Sequence, residues 1–458
     1  MKPAKQALLL CSAVYGLISA SSISDSPQHP LVHRPDTEAA ATTTTTTPSN
    51  DGDAPPYRVP LLSLHRALVD VPSISGSEGA AALLLEKVLT DLNYTVELQR
   101  LPSPSSDNNP DSRERYNVLA WPGRDADRTL DDRVLVTSHI DVVPPYIPYA
   151  INHTAIPPHV PYNFTSIPAT TLLSGRGTVD AKASLAAQIV ATTALLAAGS
   201  IPRSAVVLLF VVGEETSGDG MKHFSASLAN YTDRHPNHPD HDDPGSPRRP
   251  RLRAAVFGEP TENRLACGHK GILGATVRAR GRAGHSGYPG TGKSATAALV
   301  RGLAALLDAD LGASARFGRT TVNVGVLAGG VAANVIAEEA SARVAVRVAV
   351  GNRTAGARVV EGRMRAVLRE ADAEALELEV RGGYGPVECD CDVEGFETMV
   401  ANYGTDVPNL EGEQVNYLYG PGSILVAHGE DEGLLVRDLE EAVEGYKRLI
   451  THAVNASS

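Results

Sequence analysis

Apolar runs that pass directly into acidic or imidazole side chains recur along the chain. The longest covers residues 206–212, seven apolar residues followed by Gly213 and two adjacent carboxylates, Glu214 and Glu215. A run without alternation is typical of a strand buried on both faces of a mostly parallel sheet. Two neighbouring carboxylates at a buried strand end are costly unless they reach solvent or a cation. This segment alone leaves both a solvated acidic turn and a metal site open.

Two further predicted strands end in the same way. Residues 133–137 precede His139 and Asp141, which point to the same side if the chain stays extended. Residues 254–257 precede Glu259. Open α/β sheets place their sites just beyond the carboxyl ends of parallel strands. The pattern therefore predicts one crevice that collects the polar residues of all three strand ends.

Helical periodicity accounts for much of the remaining first half and the C-terminus. Helices are predicted at residues 61–69, 80–91, 183–198 and 432–452, a long loop at 144–174, and strands at 95–99 and 423–426. Asp180 lies just before the third helix, where a carboxylate is favoured. His428 closely follows the last predicted strand. Both residues can therefore reach the predicted crevice.

The middle of the chain has a different pattern. Its elements alternate as strand (272–280), helix (294–308), strand (321–327), strand (341–350), helix (355–371) and strand (375–381). This order is that of a ferredoxin-like, split βαβ unit. We therefore predict an α/β protein in which a mostly parallel sheet flanked by helices forms the catalytic domain. That domain comprises residues 57–270 and 384–458, with a ferredoxin-like α+β domain inserted at 271–383.

The composition excludes several classes of function. The chain has 458 residues, of which 42% are hydrophobic, and a formal net charge of -12. Nucleic acids and anionic membranes require clustered Lys and Arg, so neither is expected as a partner. Beyond the first 22 residues the odd number of cysteines, Cys267, Cys389 and Cys391, argues against a fold held by disulfides. Burial or a disulfide suits the Cys-Asp-Cys segment better than a structural zinc site, which needs a second pair.

The N-terminus predicts export. Residues 1–22 combine two lysines, a short apolar run and small residues, as a secretory signal peptide does, and the run is too short to span a membrane. Residues 23–56 are rich in Ser, Pro and Thr and are predicted to form a disordered tail, a candidate propeptide. A secreted, extracellular glycoprotein is expected. Six sequons support this expectation, at Asn93, Asn152, Asn163, Asn230, Asn352 and Asn455.

Imidazoles and carboxylates make up the candidate site. Divalent zinc or cobalt prefers this donor set, which consists of His139, Asp180, Glu215, Glu259 and His428. Each residue alone has an ordinary structural explanation, such as a helix cap for Asp180 or a core histidine for His428. Two metal ions fit better than one, because a central bridging Asp180 with one His and one Glu on each side gives each ion three protein ligands.

The same residues carry a resemblance to a known family. The segments SHIDVVP, GRGTVDAKAS, GEETSGDG, FGEPT, GHSGYP and YGPGSILVAHGEDE resemble, in order, motifs of the co-catalytic zinc metallopeptidases, which include glutamate carboxypeptidase, aminoacylases, acetylornithine deacetylase and succinyl-diaminopimelate desuccinylase. The resemblance implies two Zn²⁺ per subunit, for which Co²⁺ can substitute. It places His139, Asp180 and Glu259 on one ion, with Asp180, Glu215 and His428 on the other. Glu214 would be the general base, and Asp141 would orient His139.

The resemblance also implies a substrate and an assembly. The substrate would be a peptide or an N-acyl amino acid, cleaved at an amide bond next to a free carboxylate, so carboxypeptidase and aminoacylase action are both open. Glu259, where aminopeptidase relatives tend to have Asp, favours carboxypeptidase or deacylase action over aminopeptidase action. The inserted domain would form a homodimer. It would also supply three residues that contact the substrate, His285, Asn334 and Arg347. Gly422 of the catalytic domain would be the fourth substrate contact. One departure from the family pattern is Ala181 where relatives often have an acid.

Two alternatives from other classes stay open. Residues 287–294, GYPGTGKS, fit the phosphate-binding P-loop formula. A nucleotide-binding protein would also need a Mg²⁺-binding acid on a neighbouring strand, and the inserted domain offers no clear one. The second alternative is a binding protein that kept the fold without catalysis. The presence of Glu214 and of all five ligand residues argues against it.

Overall fold

A computed structural model describes residues 54–102, 114–158, 160–231 and 250–456. The predicted signal peptide and nearly all of the predicted tail lie outside these residues. No helix in the described ranges is both long and apolar enough to cross a membrane.

The described chain alternates strands and helices. In chain order the strands are β1 (Tyr94–Arg100), β2 (Tyr116–Pro122), β3 (Val134–His139), β4 (Ala150–Ile151), β5 (Thr154–Ala155), β6 (Leu172–Ser174), β7 (Val206–Val211), β8 (Ala254–Gly258), β9 (Leu265–His269), β10 (Gly271–Arg280), β11 (Gly284–His285), β12 (Ala313–Ser314), β13 (Gly318–Arg319), β14 (Thr321–Gly329), β15 (Val335–Ile336), β16 (Glu339–Val348), β17 (Leu376–Tyr384), β18 (Val387–Glu388), β19 (Thr398–Ala401), β20 (Val415–Tyr419) and β21 (Gly433–Leu435). The α-helices are α1 (Arg58–Asp70), α2 (Gly79–Asp91), α3 (Lys182–Ala198), α4 (Asp219–Ser227), α5 (Ala295–Asp308), α6 (Gly356–Asp372) and α7 (Val436–Asn455).

The large sheet has the order β1-β2-β7-β3-β8-β20-β9-β18, with β19 beside β9. The four central strands β7, β3, β8 and β20 run parallel to one another, whereas β1 and β2 join one side antiparallel. Carboxyl ends of parallel neighbours meet at one edge of a sheet. The sheet therefore has a single edge at which the segments following four strands converge.

The packing of strand β7 shows that the sheet is covered on both faces. Its alternate residues Val206, Leu208 and Phe210 pack into a core with side chains from α1, α2, α3 and α7. Val207 and Leu209 pack into a second core with side chains from α4. All of these side chains are fully buried, which accounts for the absence of alternation in the sequence. The prediction of an α/β fold with a large sheet flanked by helices is confirmed, and the sheet is parallel in its centre and antiparallel at its sides.

A second sheet comes from the middle of the chain. Its order β14-β16-β10-β17 is antiparallel throughout, and α5 and α6 contribute to the apolar core on one of its faces. Together the elements follow the order β10-α5-β14-β16-α6-β17, which is the predicted ferredoxin-like arrangement.

Three predictions of local structure differ from the observed elements. Residues 144–174 are not only a loop, because β4, β5 and β6 pair there and β21 joins them. The strand predicted at 423–426 is wrong: the strand before His428 is β20, and Leu425 is 87% exposed in a turn. Helix α7 begins at Val436 rather than at 432. In the first two cases pairing partners distant in sequence decide the outcome.

The cysteines form one cross-link. Cys267 on β9 is disulfide-bonded to Cys391, and Cys389 is a buried free thiol. The Cys-Asp-Cys segment therefore combines the two roles that its sequence suggested. The bond ties β9, where the chain enters the second sheet, to the segment that returns from it.

Candidate metal centre

The convergent edge of the large sheet holds the predicted polar residues. His139 is the last residue of β3, Glu214 and Glu215 follow β7, and Glu259 directly follows β8. His428 lies in the loop after β20 and has a φ of 65°. The predicted crevice at the strand ends is therefore present.

Asp180 lies between the two histidines. Its Oδ1 is 3.0 Å from His139 Nε2, and its Oδ2 is 3.3 Å from His428 Nε2. Burial raises the pKa of Asp180, but the hydrogen bonds from both imidazoles outweigh burial and lower the pKa below its usual value. One carboxylate thus presents one oxygen to each side of the site, which is the geometry of a bridging ligand.

Glu215 shares His428 with Asp180. Its two carboxylate oxygens lie 3.1 and 3.0 Å from His428 Nε2, and its side chain is 7% exposed. Hydrogen bonds to Asp180 and Glu215 raise the pKa of His428 to about 10. Burial raises the pKa of Glu215, although the hydrogen bond from His428 opposes this shift.

Glu214 and Glu259 lie on the other side of the centre with His139. One ligand atom from each of the three lies within 4.8 Å of the others. Burial raises the pKa of Glu214 well above its usual range, and the charge of Glu259 adds to the shift. The pKa of Glu259 is also raised well above its usual range by burial. Two carboxylates so placed repel each other unless a proton or a metal ion separates them.

The donor set fits divalent metal ions. Ligand atoms of His139, Asp180 and Glu215 form a second group within 4.8 Å, which shares His139 with the first. Imidazole and carboxylate donors at adjacent positions are suited to zinc and cobalt. The two groups divide the residues differently from the two sets that the resemblance implies, because Glu214 lies as close to His139 and Glu259 as a ligand would. All six residues are nevertheless brought together.

Asp141 contacts both halves of the centre. Its carboxylate accepts hydrogen bonds from the backbone N–H of Glu214 at 3.1 Å and of Glu215 at 3.2 Å, and from Ser75 Oγ at 2.7 Å. The nitrogen Nδ1 of His139 lies 2.9 Å from the Asp141 carbonyl oxygen and 3.7 Å from its carboxylate. The main chain of Asp141 therefore orients His139 more directly than the carboxylate does.

Three buried charged residues beside the centre were not predicted from the sequence. Arg176 and Glu432 form an ion pair with 2% and 0% exposed side chains. Asp406 accepts a hydrogen bond from Asn409 Nδ2 at 2.7 Å, and burial raises its pKa to about 6. The sequence contains one indication of two of these residues, because Arg176 lies four residues before the predicted ligand Asp180 and Glu432 lies four residues after His428.

The predicted substrate-binding residues are placed in two regions. His285 on β11 and Asn334, next to β15, are neighbours in the second sheet's domain: β11 pairs with β15, and the Asn334 carbonyl accepts from the backbone N–H of Ser286. Arg347 lies on β16; burial lowers the pKa of the nearby His269, and the charge of Arg347 adds to this shift. Within the described part of one chain, none of these three forms a hydrogen bond with the carboxylates and imidazoles of the centre.

Gly422 lies in the loop between β20 and His428. Its φ is 78°, and a Cβ there would be 2.7 Å from Val179 Cγ1. Its carbonyl oxygen accepts a hydrogen bond from the backbone N–H of Glu262. Both the positive φ and the contact with Val179 favour glycine. The residue therefore brings the His428 loop against the segment that carries Asp180.

The P-loop-like residues 287–294 form a different structure from a nucleotide cradle. Lys293 Nζ is ion-paired with Asp372 at 3.0 Å and with Glu374 at 3.4 Å. Ser294 caps α5 by accepting a hydrogen bond from the backbone N–H of Ala297. The two side chains that would contact phosphate and Mg²⁺ are thus engaged within the domain.

The known proteins that are similar in sequence to this chain are peptidases or contain a peptidase domain. Residues 267–375 match the family described as the peptidase dimerisation domain. The chain is 54% identical over 415 residues to an M20 peptidase domain-containing protein of Sordaria macrospora, covering 89% of this chain and 88% of that protein. It is 42% identical over 479 residues to a probable carboxypeptidase of Neosartorya fischeri, covering both chains completely.

Solved structures share the fold at low identity. A tripeptidase from Staphylococcus aureus superimposes with a TM-score of 0.64 at 17% identity, covering 87% of this chain and 99% of that one. A metallo-carboxypeptidase of the M20 family from Sulfolobus solfataricus gives a TM-score of 0.60 at 15% identity, covering 86% and 99%. At such identities the likeness concerns the fold.

Proposed function

This chain belongs to the M20 family of metallopeptidases, and we propose that it is a secreted carboxypeptidase that hydrolyses the amide bond next to a free carboxylate with two zinc ions. Membership makes it a hydrolase. The number and identity of the metal ions, the choice of substrate and the secretion are our proposal.

The observation that carries the proposal is the position of Asp180. Its two carboxylate oxygens face His139 and His428 separately, at 3.0 and 3.3 Å. Glu259 would complete the ligand set on the His139 side, and Glu215 the set on the His428 side. A single ion would leave one imidazole and one carboxylate of this buried cluster without a cation. Two bound ions would offset the repulsion between the carboxylates on both sides.

The chemistry of the chain's own residues follows from their environments. When bound, the ions would polarise the scissile carbonyl and acidify a water molecule. Glu214 would accept a proton from the attacking water and return it to the leaving amine nitrogen. Its raised pKa, caused by burial and by Glu259, brings a carboxyl group closer to the neutral range in which a general base works best. Asp141 would hold the backbone of Glu214 in place during the transfer.

The substrate's carboxylate would be bound by the second domain. We propose Arg347 and Asn334 as its donors together with the backbone at Gly422, and His285 as the residue that stabilises the oxyanion. Within the described part of one chain, His285, Asn334 and Arg347 form no hydrogen bond with the residues of the centre, so a homodimer through the inserted domain or closure of that domain would bring them closer to it. The match to a peptidase dimerisation domain supports the dimer.

Export is proposed from the N-terminal sequence and the sequons. The asparagines at these sequons are exposed or half-exposed, as glycosylation requires; they are Asn93, Asn152, Asn163, Asn230, Asn352 and Asn455.

Two matched substitutions test the division of labour between the adjacent glutamates. Glu214→Gln is expected to retain bound zinc and to lose about two to four decades of kcat. Glu215→Gln is expected to weaken zinc binding as well, because it removes a ligand charge. Metal content by elemental analysis and turnover on N-blocked dipeptides measure both effects. Glu413→Gln, at an exposed position, controls for the loss of one acidic group.

The outcomes separate the alternatives. Normal turnover in Glu214→Gln would remove this residue from the role of general base. A wild-type protein that prefers N-acyl amino acids to N-blocked dipeptides would be an aminoacylase. Zinc-loaded protein without turnover on either class would contradict the proposed function. For export, recovery of the protein from the culture medium with N-linked glycans is the expected finding. Retention of the protein in the cells would contradict export, and protein in the medium without glycans would contradict the glycosylation alone.

A further inference from the structure

A buried ion pair connects the two segments that carry Asp180 and His428. Arg176 Nη1 donates to Glu432 Oε2 at 2.6 Å, and both side chains are almost completely withdrawn from solvent. Arg176 lies four residues before Asp180, and Glu432 lies four residues after His428. The pair therefore joins the segment before one proposed ligand to the segment after the other.

Glu432 binds the backbone of the Asp180 segment. Its Oε1 accepts hydrogen bonds from the backbone N–H groups of Gly177 at 2.9 Å, Val179 at 3.1 Å and Asp180 at 3.2 Å. Its own carbonyl oxygen accepts from the backbone N–H of Gly175 at 3.1 Å. Glu432 thus binds four backbone N–H groups of the turn that carries Asp180, three through its carboxylate and one through its carbonyl oxygen.

Arg176 binds the backbone of the His428 segment from the opposite direction. Its Nη2 donates to the carbonyl oxygen of His428 at 3.2 Å, and its Nη1 also donates to that of Gly429 at 3.2 Å. Its Nε donates to the carbonyl of Pro145 at 3.3 Å. The guanidinium uses its planar fork to hold a residue whose φ is positive and whose side chain is half exposed.

We propose that Arg176 and Glu432 are positioning residues that hold Asp180 and His428 at the spacing required by the metal ion they share. The proposal rests on the zinc centre of the proposed function. Each segment alone is a turn, and turns shift easily. Because the pair binds both turns, moving either one breaks hydrogen bonds to the other. The site is therefore organised before the metal arrives, which lowers the ordering cost of metal binding.

A purely structural role predicts a different result. Replacing a buried ion pair with apolar residues of similar volume often leaves stability unchanged or raises it. If the pair only contributed to folding, such a replacement would leave zinc affinity unchanged. If it positions the ligands, zinc affinity falls even when the fold is as stable as before. Losses of this kind are about 10- to 100-fold for groups that orient metal ligands.

The test uses single and double variants of the full chain. Glu432→Gln keeps the shape but loses the charge, and Arg176→Lys keeps the charge but loses the fork. The double variant Arg176→Met/Glu432→Met removes the pair without leaving a buried charge. Zinc affinity of the metal-free protein is measured by competition with a chromophoric chelator, and Tm is measured with and without zinc. Glu440→Gln disrupts the well-buried pair of Arg58 and Glu440, two residues that lie outside both segments, and serves as the control.

The expected result is a 10- to 100-fold weaker zinc affinity in all three variants of the pair and a smaller rise of Tm on adding zinc. Glu440→Gln is expected to keep the wild-type affinity whatever its Tm. A stable double variant with wild-type zinc affinity would overturn the proposal, as would Arg176→Lys and Glu432→Gln variants that both bind zinc normally. The titrations decide this without reference to turnover. Zinc binding without peptide hydrolysis in the wild type would refute the proposed function alone, and a wild-type protein that binds no zinc would overturn both.

Discussion

Acidification should destabilise this protein through a histidine that is not part of the centre. His65 on α1 is fully buried, with its ring 5.8 Å from that of Tyr149. Its Nε2 lies 3.0 Å from the carbonyl oxygen of Thr178, so the neutral tautomer with a proton on Nε2 is the one that donates there. Among the described residues, its Nδ1 has no hydrogen-bond partner. A second proton would therefore create a buried N–H group at Nδ1 that has no hydrogen-bond acceptor.

The magnitude follows from the pKa of His65. Burial lowers this pKa from 6.5 to about 4. The difference is equivalent to roughly 3 kcal/mol of differential stability between the two protonation states. Between these pH values the unfolded chain binds the proton and the folded chain does not, so the free energy of unfolding falls as the pH is lowered. The contribution is fully present above pH 6.5 and is lost as the pH falls through the folded-state pKa.

Urea unfolding of the metal-free protein between pH 7.5 and about 4 measures the effect. The variant His65→Gln retains an N–H donor for Thr178 but does not titrate, and His153→Gln, at an exposed position, controls for the substitution. The wild type should lose up to about 3 kcal/mol more than His65→Gln over this range. The buried His269, whose pKa is also lowered to about 4, remains in both proteins and gives them a common residual slope. Parallel pH curves for wild type and His65→Gln would refute the reasoning.

Two further substitutions should separate stability from catalysis. Cys267→Ser removes the disulfide to Cys391, which spans 124 residues, and should lower the free energy of unfolding by on the order of 5 kcal/mol at most; an unchanged urea midpoint would contradict this. Gly213→Ala would place a Cβ 1.9 Å from Asp219 Oδ1 at a φ of 75°, which should displace the glutamates that follow and lower kcat by about tenfold or more. Gly362→Ala, in α6 with nothing within 4 Å, is the control, and equal turnover in both glycine variants would contradict the expectation.

The sequence predicts the strand ends because they depend on local information. An apolar run that stops at a polar residue marks where a buried strand ends, and parallel pairing then sends such ends to one edge. His139, Glu214, Glu215 and Glu259 are therefore expected together without any knowledge of strand order. The order β7-β3-β8 was not needed for it. Any arrangement of parallel neighbours with these strands adjacent would produce the same cluster.

The segment before His428 shows where local information fails. Residues 423–426 are more apolar than those around them, and the pattern alone cannot distinguish them from a strand. The strand is instead β20, whose Leu418 and Tyr419 are buried, because β20 pairs with β8 over five residues. Pairing with a segment more than 150 residues away decides between the two. The apolar Leu425 is left 87% exposed in the turn.

The charged residues beside the centre were missed for a related reason. Arginine and glutamate are most often found on the surface, and neither Arg176 nor Glu432 stands in a pattern that predicts burial. Their burial results from the meeting of two turns that are about 250 residues apart in the chain, as the Arg176–Glu432 bond shows. A search for charged residues within one turn of a predicted ligand would have found both. It would also have returned exposed residues such as Glu430.

Asp141 explains how two adjacent glutamates come to face different partners. Its carboxylate binds the backbone N–H groups of both Glu214 and Glu215, so the turn after β7 is held through its main chain, and neither glutamate side chain takes part in this contact. Glu214 then lies with His139 and Glu259, and Glu215 lies against His428. The carbonyl of the same Asp141 fixes Nδ1 of His139. Asp141 thereby sets the direction of three neighbouring side chains. The different environments of the two glutamates follow from that constraint.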